Sequence, residues 1–249
     1  MSASGTEIEK CPLCAGTGWR QDESQAAVVP CECRARTRPA RALAAAQIPR
    51  RYETCAFTNF QLYGEKGSPK YNSLLNAMKQ VHSYAGAYPL VDGKGILLTG
   101  EPGRGKTHLI VALLKTLIAK GADGLFVDYQ ELLKRIQSSY DSTTLTAEHR
   151  VIRPVLDTEI VVIDDLGANR ITDWVEDTIN YILNHRYNQK KPTLLTANLR
   201  EERMSGTKGS RETHATFQER LGARVASRLH EMCRVVEIHA DDYRQLENP

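Results

Sequence analysis

The chain has 249 residues, of which 41% are hydrophobic and 25% are charged, and its net charge is +3 at pH 7. This length and hydrophobic content support one α/β domain with a small appendage, and the mild positive charge permits contact with nucleic acid without requiring it. No apolar segment approaches the length of a membrane span, and the N-terminus lacks the apolar core of a signal peptide, so we expect a cytoplasmic protein with no membrane partner.

Four cysteines near the N-terminus have the spacing of metal ligands. Cys11 and Cys14 form a C-x-x-C pair, and Cys31 and Cys33 form a C-x-C pair. In a cytoplasmic protein, paired cysteines hold metal more often than they form disulfides, and four thiolates suit tetrahedral Zn²⁺. The sequence therefore predicts a small structural zinc module. A redox C-x-x-C is the alternative, but no βαβ pattern surrounds this one.

An arginine-rich stretch that contains no acidic residue follows the cysteines. Its arginines are Arg34, Arg36, Arg38, Arg41, Arg50 and Arg51. Two interpretations stay open, namely a solvated linker and an arm that docks on nucleic acid or on an acidic partner. We place a domain boundary near residue 60, which separates a zinc module with its basic linker (residues 1–60) from an α/β domain (residues 61–249).

The clearest motif is a glycine-rich loop between a predicted strand at residues 96–98 and a predicted helix. The segment from Gly100 to Thr107 reads GEPGRGKT and matches G-x-x-x-x-G-K-[ST] in full. Backbone N–H groups of such a loop cradle phosphates, the lysine adds a positive charge, and the threonine offers a hydroxyl to Mg²⁺. The predicted nucleotide-binding residues are Gly100, Glu101, Pro102, Gly103, Arg104, Gly105, Lys106, Thr107 and His108.

A second apolar run ends in two carboxylates. Residues 160–163 predict a strand that is buried on both faces, and Asp164 and Asp165 follow at its carboxyl end, where open α/β sheets bind ligands. Downstream of a phosphate loop, this pattern predicts that Asp164 holds Mg²⁺ and that Asp165 polarises the water that attacks the γ-phosphate. Many ATPases carry glutamate at the second position, so we expect the shorter Asp165 to slow hydrolysis or to make it depend on a partner.

A polar residue follows the next predicted strand. This strand covers residues 193–196, and Asn198 comes just after it. An amide there can orient the attacking water and sense the γ-phosphate, whereas an isolated asparagine at a strand end is more often a turn former.

A late helix carries a row of positive charges. Residues 217–232 predict a helix with Arg220, Arg224 and Arg228 four residues apart on one face. Because like charges in a row repel each other, we expect an anion opposite them, such as the nucleotide of a neighbouring subunit. The sequence offers no arginine that we expect to stabilise the transferring phosphoryl group within the same chain, so Arg228 would reach a γ-phosphate only across a subunit boundary.

Taken together, these motifs resemble the AAA+ ATPases of the DnaC/IstB type, which are bacterial helicase loaders and transposition helpers. The resemblance extends over roughly residues 48–244. It is carried by GILLTGEPGRGKTHL, GLFVDYQELLKRI, VVIDDLG, TLLTANL, ERLGARVASRL, the closing DDYR and the linker IPRRYETCAFTNF. It implies a P-loop fold with a five-stranded parallel sheet between helices, with no C-terminal lid domain. It also implies Asn198 as sensor 1 and Arg228 as the arginine finger, with Arg224 as the second choice.

The resemblance implies an ATP-hydrolysing helicase loader that needs ATP and Mg²⁺, and the four cysteines add Zn²⁺ for the N-terminal module. Its expected partners are a DnaB-like hexameric replicative helicase, single-stranded DNA bound partly through residues 134–150, and other copies of the chain. An IstB-like transposition helper is the alternative. A small-molecule kinase is disfavoured by Asn198 and the arginine helix, and a nucleotide-gated adaptor with little turnover stays open because of Asp165.

Overall fold

A computed structural model describes residues 11–15, 17, 19–22, 27–90, 92–140, 146–168, 172–199 and 216–247. Near the N-terminus, β1 (Trp19–Asp22) pairs with β2 (Ala27–Pro30) in an antiparallel hairpin, and α1 (Glu32–Ala45) begins at the second cysteine pair. The sequence did not predict this hairpin. Its second strand contains two adjacent valines, which favour extended backbone, and the hairpin connects the two halves of the cysteine cluster.

The rest of the described chain alternates helices and strands. Two short 3-10 turns, Arg50–Tyr52 and Phe57–Asn59, precede the main domain. The further elements are α2 (Pro69–Gly86), β3 (Gly95–Thr99), α3 (Lys106–Ala119), β4 (Gly124–Asp128), α4 (Tyr129–Tyr140), α5 (Thr146–Asp157), β5 (Ile160–Leu166), α6 (Asp173–Asn188), β6 (Thr193–Ala197), α7 (Phe217–Leu221), α8 (Ala223–Met232), β7 (Cys233–Glu237) and α9 (Tyr243–Glu247).

Five strands of the described chain form one parallel sheet in the order β4-β5-β6-β3-β7. The central strands are almost continuous apolar runs because helices cover both faces of the sheet, where two clusters of buried side chains form the core. The predicted five-stranded parallel sheet between helices is confirmed. Its topology brings the carboxyl ends of β3, β5 and β6 together, and these are the ends that carry the predicted site residues.

The basic linker packs on the main domain. The backbone N–H of Phe126, on edge strand β4, donates a hydrogen bond to the carbonyl of Ala46 over 2.7 Å. Ala46 and Cys55 are buried in the same apolar cluster as the inner face of α3, and Tyr52, Phe57 and other linker side chains pack against that cluster. The division of the chain at residue 60 stays a prediction.

Some local features differ from the sequence predictions. The predicted helix at residues 217–232 breaks at Gly222, whose φ of 83° is left-handed and whose missing Cβ leaves room for the Glu176 carboxylate. At the start of α6, Thr172 caps the helix because its hydroxyl accepts the N–H of Val175 over 3.3 Å. Among the described residues, no helix has the length and apolar character needed to cross a membrane.

Candidate nucleotide-binding site

The glycine-rich loop turns from β3 into α3 with backbone angles that favour glycine. Gly105 precedes the first residue of α3 and has a φ of 82°. A Cβ on Gly103, whose φ is 76°, would lie 1.7 Å from a carboxylate oxygen of Asp242. The loop therefore has the predicted wrap, and the segment after β7 closes directly against it, with the N–H of Tyr243 donating to the Gly103 carbonyl over 3.0 Å.

Lys106 lies buried at the start of α3, with 5% of its surface exposed. Its Nζ donates hydrogen bonds of 2.7 Å to the backbone carbonyls of Gly100 and Glu101. Burial lowers the pKa of Lys106 to about 8, although the negative charge of Asp165 opposes this shift. In the described part of the chain no carboxylate forms an ion pair with Lys106, so an anionic ligand would supply its counter-charge.

Thr107 and Asp164, which the sequence predicts to hold Mg²⁺, lie side by side. The Thr107 hydroxyl lies 3.1 and 3.2 Å from the two carboxylate oxygens of Asp164. Burial raises the pKa of Asp164 to about 6, and the nearby Asp165 charge adds to this rise. A hydroxyl beside a carboxylate is a ligand set that suits Mg²⁺, so these two residues fit the predicted metal.

Thr196 was missed by the sequence reasoning. It is fully buried at the end of β6, and its hydroxyl donates a 2.6 Å hydrogen bond to the Asp164 carboxylate. The same oxygen accepts the backbone N–H of Asp165 over 2.9 Å. A single threonine thus holds both acidic residues in place. The signal in the sequence that could have indicated Thr196 is a polar residue within the otherwise apolar end of the run 193–197.

Asp165 sits in a bulge. From Ile163 to Leu166, β5 advances three residues while β6 advances two, and Asp165 takes a left-handed φ of 57°. The Asn198 amide donates a 2.9 Å hydrogen bond to the Asp165 carboxylate. A non-glycine residue in this conformation is uncommon, although aspartate adopts it more readily than most side chains.

A cavity of about 510 Å³ opens above the loop. Its walls combine the loop, Asp165 and Asn198 with side chains from the linker and from the C-terminal segment. The side chains that the sequence reasoning did not assign to the site are Arg51, Tyr52, Asn59, Phe60, Gln61, Tyr63, Tyr243 and Arg244. They come from segments far apart in the chain, so no local pattern indicates that they meet. The aromatic members offer apolar surface for a nucleotide base.

The expectation that no arginine of the same chain stabilises the transferring phosphoryl group stays a prediction, but arginines do line the cavity. Among the described residues, Arg51, Arg104 and Arg244 line the cavity. Arg104 pairs with Glu101 and donates to the Ile238 carbonyl over 2.9 Å. The linker and the C-terminal segment fold back over the loop, and this long-range contact brings in the other two arginines.

Other predicted loop residues act through their backbone or support the wall. Gly100 and Glu101 contribute the carbonyls that hold Lys106, and Pro102 lines the cavity. His108 lines the cavity too, but its Nε2 contacts the Ala56 carbonyl at 3.0 Å and the Asn59 side chain at 3.1 Å. His108 therefore ties α3 to the linker.

The two predicted finger arginines lie on α8, outside the cavity. Arg228 donates from Nε to Asn184 over 2.9 Å, pairs with Glu231 at 2.7 Å, and stacks over Tyr187 at 4.3 Å. Arg224 is exposed, and no partner for it is found in the described part of the chain. The role of both arginines stays a prediction.

The four N-terminal cysteines converge. Their sulfur atoms all lie within 4.8 Å of one another, with Cys11 and Cys31 at 3.8 Å and Cys14 and Cys33 at 3.3 Å. Tetrahedral Zn–S bonds of about 2.3 Å require sulfur separations of about 3.8 Å, so the cluster is compatible with zinc. The hydrogen bond that the protonated Cys33 thiol shares with Cys14 raises the pKa of Cys33 to about 12, and a bound divalent cation would favour the thiolate instead.

Comparisons with known proteins match the chain along most of its length. The family model described as IstB-like ATP binding protein matches residues 36–248. The chain is 32% identical to the Bacillus subtilis protein YqaM over 85% of this chain and 63% of that protein. It is 24% identical to the replicative helicase loader DnaC of Escherichia coli, over 64% of this chain and 62% of that protein.

A crystal structure of the DnaC helicase loader has the same fold. It matches with a TM-score of 0.63 and 30% sequence identity, over 77% of this chain and 100% of that chain. The chain spans a little under two thirds of the length of the two relatives above. The chain belongs to the family of IstB-like ATP-binding proteins and is an AAA+ ATPase of the DnaC/IstB type.

Proposed function

We propose that this chain is an ATP-hydrolysing helicase loader of DNA replication, which binds single-stranded DNA and a hexameric replicative helicase. The observation that carries the proposal is the 30% identity to the structure of the DnaC helicase loader over that structure's whole length. The geometry of the cavity supports it, because the residues needed to bind and hydrolyse a nucleoside triphosphate meet there.

The chain's own residues bind the nucleotide. Lys106 would turn from the loop carbonyls to the phosphates, and Thr107 and Asp164 would hold Mg²⁺. When bound, Mg²⁺ neutralises charge on the phosphate oxygens. The cavity's aromatic wall excludes water from the base, and the Gln61 side-chain NH₂ can hydrogen-bond its edge.

Hydrolysis depends on Asp165 and Asn198. Asp165 accepts a proton from the attacking water, and the amide of Asn198 holds the Asp165 carboxylate in place at 2.9 Å. The bulge moves the Asp165 backbone out of the regular strand, which compensates in part for a side chain shorter than glutamate. Turnover is slow until a neighbouring copy completes the site.

That completion comes from α8 of another copy. Arg228 and Arg224 lie outside the cavity of their own chain, so they reach a γ-phosphate only across a subunit boundary. An arginine supplied in trans can raise phosphoryl transfer by roughly a thousandfold or more. The chain therefore assembles with its nucleotides at the interfaces between subunits.

Single-stranded DNA binds along α4 and α5. Lys134, Arg135 and Arg150 are exposed there, and Arg153 has 76% of its side chain exposed. Residues 141–145 of this predicted segment lie outside the described residues. Exposed cations on two packed helices suit a phosphate backbone.

The N-terminal zinc module holds the helicase. Leu13, Trp19 and Val28 expose 64%, 46% and 68% of their surfaces, which is apolar area on a module whose described core is the cysteine cluster. Zinc stabilises the module because it is too short to bury a core of its own.

A second candidate is an IstB-like transposition helper, which the description of the matching family model favours. One capture experiment separates the two functions. The tagged full chain is incubated with host lysate and ATP, and the recovered proteins are identified. Recovery of the replicative helicase supports the loader, whereas recovery of a transposase without the helicase refutes it.

A further inference from the structure

A linker arginine at the rim of the cavity lies outside both nucleotide-binding motifs. Arg51 belongs to the 3-10 turn Arg50–Tyr52, and its side chain lines the cavity together with Lys106 and Thr107. The guanidinium carbon of Arg51 lies 4.9 Å from the centroid of the Tyr52 ring. This cation–π contact holds the charge at the rim, which reduces the entropy lost when a ligand binds.

The contacts of Tyr52 indicate which end of the cavity Arg51 faces. Tyr52 lines the cavity together with Thr107 and Asp165. Burial raises the pKa of the Tyr52 hydroxyl, and the nearby negative charges of Asp164 and Asp165 add to this rise. Thr107, Asp164 and Asp165 surround the predicted position of Mg²⁺ and the terminal phosphate. Arg51 stacks on the Tyr52 ring and therefore lies at the phosphate end of the cavity.

The charge of Arg51 is uncompensated, unlike that of the other arginines of the cavity. Arg104 is paired with Glu101, and Arg244 is paired with Asp242 at 3.0 Å. Within the described residues, no carboxylate lies at ion-pair distance from Arg51. A free guanidinium matches phosphate oxygens in both charge and geometry.

We propose that Arg51 is a nucleotide-binding residue that contacts the phosphates of the nucleotide held by its own chain. The proposal rests on the ATP binding proposed above and adds a contact that neither motif contains. It gives the linker a direct part in binding, in addition to its apolar packing on the domain.

Arg50 provides a matched control. It lies in the same turn and is exposed like Arg51, but it does not line the cavity. The experiment measures the dissociation constant of Mg·ATP for the full-length wild-type chain, Arg51→Gln, Arg50→Gln and Arg51→Lys. The thermal unfolding midpoint of each nucleotide-free chain is recorded as well.

We expect Arg51→Gln to weaken Mg·ATP binding about tenfold, which is the loss of one charge-assisted contact. Arg51→Lys should recover part of this affinity because it keeps the charge, and Arg50→Gln should bind as the wild type does. All four unfolding midpoints should agree.

Equal affinities of Arg51→Gln and Arg50→Gln would overturn the proposal. A loss of affinity that Arg51→Lys does not restore, accompanied by a lower unfolding midpoint, would also overturn it, since Arg51 would then only support the linker. A wild-type chain that binds no Mg·ATP would refute the proposed function itself, so the two failures are distinguishable.

Discussion

Asn198 donates a hydrogen bond to the carboxylate of Asp165 over 2.9 Å, and this contact joins the carboxyl ends of β5 and β6. The two residues act as one unit if Asn198 serves to hold Asp165 toward the attacking water. The bulge in β5 sets the backbone of Asp165, and the Thr196 hydroxyl accepts the backbone N–H of Asp165 over 2.9 Å.

We expect Asp165→Asn to retain Mg·ATP binding and to lower the turnover rate by about a hundredfold or more, because it removes the proton acceptor. Asn198→Ala should lower turnover too, and the double variant should be little worse than Asp165→Asn alone. Steady-state ATPase rates and dissociation constants of the three variants test this. Rate losses that multiply in the double variant would show that the two residues act independently.

Nucleotide binding should weaken as the pH rises from 7 to 9. Burial lowers the pKa of Lys106 to about 8, so the side chain is largely charged at pH 7 and loses its proton within this window. Bound phosphate raises that pKa again, which makes the affinity fall gradually. The test is the dissociation constant of Mg·ATP across this range, with Lys106→Arg as the control that stays charged. The same pH dependence in the control would assign the effect to another group.

The chain purified without chelators should carry about one zinc per chain, since four thiolates complete a closed site. Cys31→Ser should lose the metal and loosen the hairpin and the start of α1. Cys55→Ser, at a buried cysteine outside the cluster, is the control that should retain the metal. Elemental analysis of anaerobically purified protein measures this, and a metal-free wild type would contradict it.

The site divides into a part that the sequence predicts and a part that it does not. The glycine-rich loop and the two aspartates are predictable because each motif is continuous in the chain and follows a buried strand. Tyr52 and Arg244 cannot be predicted in this way, because they reach the loop only after the linker and the C-terminal segment pack on it. The left-handed conformation of Asp165 depends on pairing between β5 and β6, which no local pattern specifies.

The fold also divides into features that local sequence patterns predict and features that depend on long-range packing. The strands were predictable from apolar runs, and their parallel order agrees with the alternation of strands and helices. The break at Gly222 was missed because arginines and apolar residues keep a helical spacing across it. Only the packing of Glu176 against that glycine shows why the chain turns there.

A mixture of two inactive variants tests whether Arg228 acts on the nucleotide of a neighbouring subunit. Arg228→Ala retains the nucleotide site and Lys106→Ala retains the finger, so mixed assemblies should recover part of the ATPase activity that each lacks. Arg228 must first release Glu231 and Asn184, and Glu231→Gln should therefore raise the assembled rate. No recovery under conditions where mixed assemblies form would mean that Arg228 acts within its own chain or not at all.

Helicase loading itself is the most direct test of the proposed function. The host's replicative helicase is purified and mixed with single-stranded DNA that is coated with single-strand-binding protein. The amount of helicase that becomes bound to this DNA is measured with and without the full chain. The account predicts that the wild-type chain with Mg·ATP increases helicase deposition at least about tenfold, and that Lys106→Ala does not. Deposition that is unchanged by the wild-type chain, or equal with Lys106→Ala, would contradict an ATP-dependent helicase loader.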